Sequence, residues 1–515
     1  MIPGPVRSDA ANTPNGSINN PREPAPLAAV AQLTYYPWLV VGTVCVGAFM
    51  GQLDASIAQL ILPTLQTTFK ASLATVSWVA LSYLLVLAST LPIFGRLADM
   101  HGRKLLYTGG FVLFILGSAL CGFATSLAIL IAARALQAFG AGLLQANSVA
   151  IITAAAGPTR RGRAIGIQGA AQAIGLSLGP ALGGFLIQAL GWRWVFWINV
   201  PVGIVGTLLG WIILPRTVGF GQTDRRFDWM GAALLAPALA AVILGISEMA
   251  NWGAGSVLFI GTLSAGTVLL ALFVALERRA IPPLVDLTLF HSRAFSAGNA
   301  AGLISYGLLF GVFLLLPFAL ERGYAESPFA AGLRLAVVPL ALGIAAPLSG
   351  ALSDRVGARP LTFAGMLVAA ISLAVLSIEL NSQSKTLAIV TLALIAFGIG
   401  QGLFTAPNNS AIMGSAPPNR LGAAGGVLNV MRTLGTSLGV AIAAVLLDYR
   451  IAAYGGRGAL QASPAEILLG VHDVLLLFSM LALGAAALSL LRGTPAVLDS
   501  QQRERIAESE PIGGL

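Results

Sequence analysis

Gly95-Arg96-Leu97-Ala98-Asp99-Met100-His101-Gly102-Arg103-Lys104 is the stretch that decides the fold, because it occurs twice. The second copy is Gly350-Ala351-Leu352-Ser353-Asp354-Arg355-Val356-Gly357-Ala358-Arg359, with Gly, Leu, Asp, Gly and a basic residue in the same register 255 residues on. One short basic loop carries little information. A pair at fixed register means that the chain is built from two related halves. The residue types suit a tight link between helices. Gly95 and Gly350 would let two helices touch, Asp99 and Asp354 can pair with an Arg or accept from a helix N-terminus, and Gly102 and Gly357 permit the turn. Arg103 and Lys104 would anchor the loop at a surface, so the ten residues are expected to form a gate at one face of the protein.

Around these loops the chain of 515 residues is 57% apolar and 10% charged, against roughly 45–50% and about 25% in a soluble domain. That excludes a water-soluble enzyme. A span takes about 20 apolar residues, so roughly a dozen or more fit. The apolar runs fall at about 36–62, 73–97, 104–124, 127–154, 162–190, 194–214, 229–249, 256–276, 295–320, 329–353, 360–380, 385–413, 421–447 and 467–491. Fourteen helices are therefore expected, flanked by disordered tails at 1–35 and 492–515. Sixty glycines suit helices that pack closely in lipid. If the N-terminus is inside, one set of loops and tails holds 20 of the 29 Lys and Arg, and the opposite set seven. Cytoplasmic loops carry such an excess, so both termini are expected in the cytoplasm. The remaining two, Arg134 and Arg432, lie within spans. The +9 net charge thus reads as an orientation signal, with no basic domain for nucleic acid. Cys45 and Cys121 both sit in apolar runs, which argues against a disulfide framework or a Cys-based metal site.

With its G-x-L-a-D-r-x-G-r-k motif between the second and third spans, the chain resembles the major facilitator superfamily, in which two six-helix halves are related by an axis along the membrane normal. A six-helix repeat should return the motif after the eighth span, yet here it follows the tenth. The layout resembles the superfamily's fourteen-span drug:proton antiporter branch. The resemblance implies a six-helix bundle at 36–214, two inserted helices with their loops at 215–294, and a second bundle at 295–491. It also implies a proton gradient as energy source with no cofactor, and a monomer in a bacterial inner (plasma) membrane.

Leu53-Asp54-Ala55-Ser56-Ile57-Ala58-Gln59-Leu60-Ile61-Leu62-Pro63 resembles the branch's l-D-x-t-i-v-n-v-a-l-P, with Gln59 in place of Asn. A carboxylate inside a span costs about 2.5–3.5 kcal/mol, and burial favours its protonated form unless a cation holds it ionised. Asp54 is therefore a candidate proton site, the alternatives being a helix cap or a permanent ion pair. Arg134-Ala135-Leu136-Gln137-Ala138-Phe139-Gly140-Ala141-Gly142 resembles R-x-x-Q-G-x-G-a, with Ala138 replacing a Gly. Counted from the outer ends of their spans, Asp54 and Arg134 both sit roughly 10–12 Å deep. They are expected to pair and to carry proton coupling, Asp54 titrating and Arg134 staying charged; an Arg that merely snorkels to the interface is the alternative. Gly175, Gly179, Pro180, Gly183 and Gly184 resemble the antiporter motif g-x-x-x-G-P-x-x-G-G, where the glycines form a stripe and Pro180 allows a bend. Trp192-Arg193-Trp194 through Asn199-Val200-Pro201 resembles the family's W-R-w-i-F-x-i-N-v-P and reads as interface anchoring before a kinked sixth helix. The segment 422–439, with Asn429, Arg432, Gly435 and Gly439, mirrors 160–175.

Polar groups inside spans are the default cargo contacts. The candidates are Gln59, Trp78, Tyr83, Gln137, Gln145, Asn147, Gln172, Asn299, Tyr306, Gln401, Asn408, Asn409 and Arg432, each of which could instead bond between helices. The set is poor in acids, and Glu248 and Glu379 fall at outer helix ends, so dicationic cargo is disfavoured. Export of amphipathic or hydrophobic organic molecules, weakly basic or neutral, by alternating access is expected; a lipid, lipid-linked or secreted metabolite is the alternative cargo. No H-E-x-x-H, G-x-S-x-G or phosphate-loop motif supports an enzyme or an ATP-driven pump. His101, His291 and His472 lie far apart, and no loop is long enough for a soluble sensor domain.

Overall fold

The computed structural model describes residues 23–157, 160–217, 228–253, 255–280, 285–381, 387–417, 420–455 and 460–491. Its described residues form fourteen helices long and apolar enough to cross a membrane. In chain order these are α1 (Tyr36–Leu60), α2 (Leu73–His101), α3 (Arg103–Phe123), α4 (Leu127–Ala156), α5 (Arg161–Leu190), α6 (Asn199–Ile213, the longer part of the sixth span Trp194–Ile213), α7 (Trp229–Trp252), α8 (Val257–Glu277), α9 (Arg293–Pro317), α10 (Pro328–Val356), α11 (Ala358–Asn381), α12 (Ala388–Gly414), α13 (Leu421–Gly455) and α14 (Pro464–Leu490). Every expected span is present, with ends moved by a few residues; α13 runs furthest beyond its expected end. Ser72, Ser126, Ser256, Ser292, Ser327 and Ser463 cap their helices by accepting from a backbone N–H three residues on, which satisfies donors that lipid could not. A short turn, Trp194–Trp197, precedes α6, and Pro201 falls in the first turn of α6, where its missing N–H costs nothing.

The two halves repeat the same packing. α3 crosses α4 and α11 crosses α12. A β-carbon on Gly140 would lie 2.7 Å from the Gly110 carbonyl, and one on Gly400 2.6 Å from that of Gly365. Both crossings therefore need glycine for close backbone approach. α5 lies on α1, and α13 on α9. Between halves, α5 meets α10 and α2 meets α13, with α7 of the inserted pair packed against α2 and α13.

The halves touch at the end away from the basic loops. Gly184 abuts the backbone of Phe329, the Phe185 and Phe329 rings pair at 6.3 Å, and Arg322 Nη1 donates to Gln66 Oε1 at 2.6 Å. At the basic end, Gly162, Gly166, Gly169 and Gly426 face open space. The conformation is thus closed at one end and open at the basic one.

Three expectations on the first loop and tail are corrected. The tail expected to be disordered through residue 35 is ordered from Glu23, which is buried. Its carboxylate accepts from the backbone N–H of Leu105 and from Thr217, and a short helix, Ala28–Ala31, follows. Lys104, expected to anchor a surface loop, is buried instead, because its ammonium donates to the carbonyls of Pro24, Trp211 and Leu214 at 2.7–3.0 Å. Three acceptors replace its lost water. Gly95 touches no other helix and Gly350 meets only the Ala406 methyl of its own half at 3.8 Å, because the basic ends are apart. The turn glycines do take a left-handed backbone, with φ of 109° at Gly102 and 83° at Gly357. Asp99 pairs with Arg103 at 2.9 Å within one turn of helix. The side chain of Asp354, the first 22 residues and the tail at 492–515 lie outside the described residues.

Candidate functional site

Asp54 and Arg134 meet in the first half, each 1% exposed. One carboxylate oxygen accepts from Arg134 Nη1 at 2.7 Å; the other accepts from Gln137 Nε2 and Asn199 Nδ2, both at 2.9 Å. The Ser118 hydroxyl also accepts from both amides and donates to the Phe196 carbonyl. Arg134 donates further to the Val79 carbonyl and to Gln137 Oε1, and its guanidinium lies 4.3 Å from the centre of the Tyr83 ring. Breaking a buried pair by removing one partner costs about 3–5 kcal/mol, since a charge is left uncompensated. The residues come from α1, α3, α4 and α6, so the cluster forms only when the bundle does.

A cavity of about 260 Å³ lies between the halves. Tyr83, Gln145, Gln172, Tyr306 and Arg432 line it as expected, with Asn409. Among the described residues Arg432 carries the only formal charge in the lining, and its guanidinium sits 5.9 Å from the Tyr306 ring centre. Asp54 and Arg134 do not reach the cavity. Tyr83 touches both, with its ring against the Arg134 guanidinium and its side chain in the cavity lining.

Several candidate contacts lie elsewhere. Gln59 is buried in the core of α1, and Trp78 donates to Glu248 of the inserted α7 at 2.8 Å. Gln137 belongs to the charge cluster. Asn147 and Asn299 donate to carbonyls one turn back, at Leu143 and Phe295, and Gln401 bonds Ser305 across α9 and α12. Asn408 is buried close to Gly302. None of these side chains is in the cavity lining, since a polar group in a helix bundle is satisfied by its own helix's carbonyls or by a neighbouring helix. Conversely, Gln52, Gln168, Thr405, Thr433 and Thr436 line the cavity without having been singled out. Thr433 and Thr436 are adjacent to and one turn beyond Arg432, a helical spacing that would have found them. Asn199 and Ser118 were also missed. Asn199 falls in the motif read as interface anchoring, and nothing local reveals that its amide reaches Asp54.

The small-residue stripe of α5 surrounds the same place. Gly175 packs on Phe49 and Leu53, Gly179 on Leu53 and Ser56, and Gly183 on Ile57, the turns of α1 on either side of Asp54. Pro180 and Gly184 face the other half, against Gly332 and Phe329. One segment thus touches both the turns of α1 around Asp54 and the closed seam. No group of His, Cys, Asp and Glu that could hold a metal occurs among the described residues.

Residues 44–440 match the sequence profile of the Major Facilitator Superfamily. The chain is 36% identical to the riboflavin transporter RibZ of Clostridioides difficile (strain 630), over 78% of this chain and 87% of that one. It is 34% identical to the multidrug resistance protein B homolog of Mycobacterium tuberculosis (strain ATCC 25618 / H37Rv), over 84% and 82%. The tetracenomycin C resistance and export protein of Streptomyces glaucescens is 31% identical, over 81% and 77%. In fold it is similar to a bacterial homolog of the human lysosomal transporter Spinster, with a TM-score of 0.65 at 16% identity over 89% of this chain and 97% of the other. The chain therefore belongs to the Major Facilitator Superfamily, as a multi-pass inner-membrane transporter with fourteen candidate spans among its described residues.

Proposed function

We propose that this transporter exports amphipathic organic molecules in exchange for protons, with the basic face and both termini in the cytoplasm. The observation that carries the reading is the buried Asp54–Arg134 pair, with Tyr83 touching Arg134 and also lining the cavity. Protonating Asp54 removes the negative charge that three donors share. Arg134 then loses its counter-ion, and the guanidinium shifts against the ring it stacks on. Cargo in the cavity touches the same side chain. Proton and cargo therefore bias each other's binding, and by linkage the coupling is reciprocal. The α5 stripe carries the change from the turns around Asp54 to the seam at Gly332 and Phe329.

The cavity favours neutral or anionic cargo over cations. Its lining combines aliphatic and aromatic walls with neutral amides and hydroxyls, and Arg432 contributes a positive charge. A relative named for riboflavin supports a second reading, in which the cargo is a flat, neutral metabolite rather than a drug. Cargo-driven proton release from proteoliposomes tests the main reading. Wild type should release protons on addition of cargo, and Asp54→Asn should bind cargo without releasing them. Full coupling in that variant would sink the assignment.

A further inference from the structure

At the end away from the basic loops, α13 and α14 carry a polar cluster that neither the cavity nor the Asp54 site uses. Arg450 of α13 donates through Nε to Asp473 Oδ2 of α14 at 2.6 Å, and its Nη2 lies 2.6 Å from the same oxygen. The Tyr454 hydroxyl donates to that oxygen as well, at 2.7 Å. Three donors thus converge on one carboxylate oxygen. Among the described residues Asp473 Oδ1 accepts from nothing and Arg450 Nη1 donates to nothing.

The cluster faces outward. Asp473, Leu476, Leu477 and Met480 fall at i, i+3, i+4 and i+7, which is one face of a helix, while Leu475 and Phe478 between them are buried in the bundle. The Arg450 side chain is 42% exposed and Met480 59%. With Leu446 of α13 these residues border a groove of about 280 Å³ between the two helices. The groove is polar towards the helix ends and apolar beyond. Arg450 stands about 8 Å inside the end of α13, and Met480 lies about 10 Å further along α14 than Asp473. Charges on a membrane-facing surface are costly unless paired. A clamp between α13 and α14 uses only the Oδ2 contacts, so Oδ1 and Nη1 are an acceptor and a donor left over.

We propose that this groove binds one phospholipid of the leaflet opposite the basic loops, selected for a head group that carries both a phosphate and a primary ammonium, as in phosphatidylethanolamine. The phosphate accepts from Arg450 Nη1, the ammonium donates to Asp473 Oδ1, and an acyl chain lies along Leu476, Leu477 and Met480. Both head-group contacts are charge-assisted. A choline head supplies the phosphate but has no N–H to donate, so it fills half of the site. A glycerol head brings a net negative charge and no cation for Asp473. The site lies outside the cavity, so it stands apart from the cargo and proton readings.

A bimane on Tyr449→Cys, beside Arg450 but outside the groove lining, reports the lipid next to the cluster. A bimane on Leu392→Cys, an exposed position near the same end of α12, is the control. Each full-length chain also carries Cys45→Ser and Cys121→Ser, and sits in phosphatidylcholine nanodiscs in which a minor fraction of the lipid bears a nitroxide near the top of an acyl chain. At 449 the nitroxide lipid with an ethanolamine head should quench several-fold more than its choline counterpart, and at 392 the two should quench equally. Equal quenching at 449, or the same ethanolamine preference at 392, would overturn the site. This comparison needs no substitution in the cluster. Asp473→Asn keeps an acceptor oxygen for Arg450 and Tyr454 but removes the charge that the ammonium meets. It should abolish the ethanolamine preference at 449 and raise quenching by the nitroxide lipid with a glycerol head. A preference that survives Asp473→Asn would overturn the assigned contact.

Discussion

Gly140 against Gly110 in the first half and Gly400 against Gly365 in the second are one contact made twice, and the positions around them carry opposite chemistry. Six and three residues before Gly140 stand Arg134 and Gln137; before Gly400 the same places hold Leu394 and Phe397, both fully buried. The partner helices agree. Gly175 and Gly179 of α5 pack on Phe49 and Leu53, as Gly435 and Gly439 of α13 pack on Leu303 and Gly307. Asp54 is thereby matched by Leu308. One backbone arrangement thus holds a buried ion pair in one half and leucine and phenylalanine in the other. Helix packing does not need the charges, which leaves a functional reason for their cost. The cavity reverses the pattern. Gln172, three residues before Gly175, faces Arg432, three before Gly435, so the second half brings its cation into the cavity and the first hides its own behind Tyr83.

The sharpest way to break this comparison is to make the first half like the second. Asp54→Leu with Arg134→Leu should fold with stability near wild type, because apolar replacement of a buried pair is often neutral. Proton-driven export by this variant should fall at least about 100-fold, a barrier of roughly 2.7 kcal/mol, measured as cargo accumulation in inverted vesicles. A stable, fully coupled double variant would show that the charges are dispensable. Arg134→Leu alone leaves Asp54 without its cation and should cost about 3–5 kcal/mol, seen as a lowered midpoint in detergent unfolding. If the single variant is as stable as the double, the pair is not coupled.

Smaller effects sharpen the symmetry. Gly140→Ala and Gly400→Ala each push a β-carbon into a facing backbone and should each destabilise by about 1–3 kcal/mol. A large cost at one site alone would mean that the two crossings are not equivalent. Arg432→Gln should weaken binding of an anionic amphipath about tenfold, near 1.4 kcal/mol, and change that of a neutral one little, by equilibrium fluorescence titration. Equal losses for both would remove the cation from cargo selection.

Much of the architecture was legible because it rests on local signals. Fourteen apolar runs and the duplicated loop each mark a helix or a turn without reference to distant residues. The shared depth of Asp54 and Arg134 anticipated their pairing, since rise per residue turns sequence distance into depth. Cavity residues were less legible. Depth does not tell which way a side chain faces, so Gln401 and Asn299 could not be separated from Gln145 and Gln172. Repetition misled as well as helped. The string Ala-Phe-Gly occurs at 138–140 and at 396–398, yet the packing equates Gly140 with Gly400, two residues beyond that match.

By itself the sequence determined that this is a two-half membrane transporter with an inserted helix pair and one intramembrane acid and arginine at equal depth. Hydrophobic length, charge sorting and repeated spacing are properties of short segments, and the bilayer imposes them one helix at a time. Only the tertiary structure decided that Asn199 and Ser118 complete the Asp54 site, that Tyr83 touches both Arg134 and the cavity, that Lys104 is buried beside the ordered end of the N-terminal tail, and that α7 packs on α2 and α13. Each of these depends on the rotation of a helix about its own axis and on contacts between residues far apart in the chain, which apolar patterning with so few charges leaves undetermined.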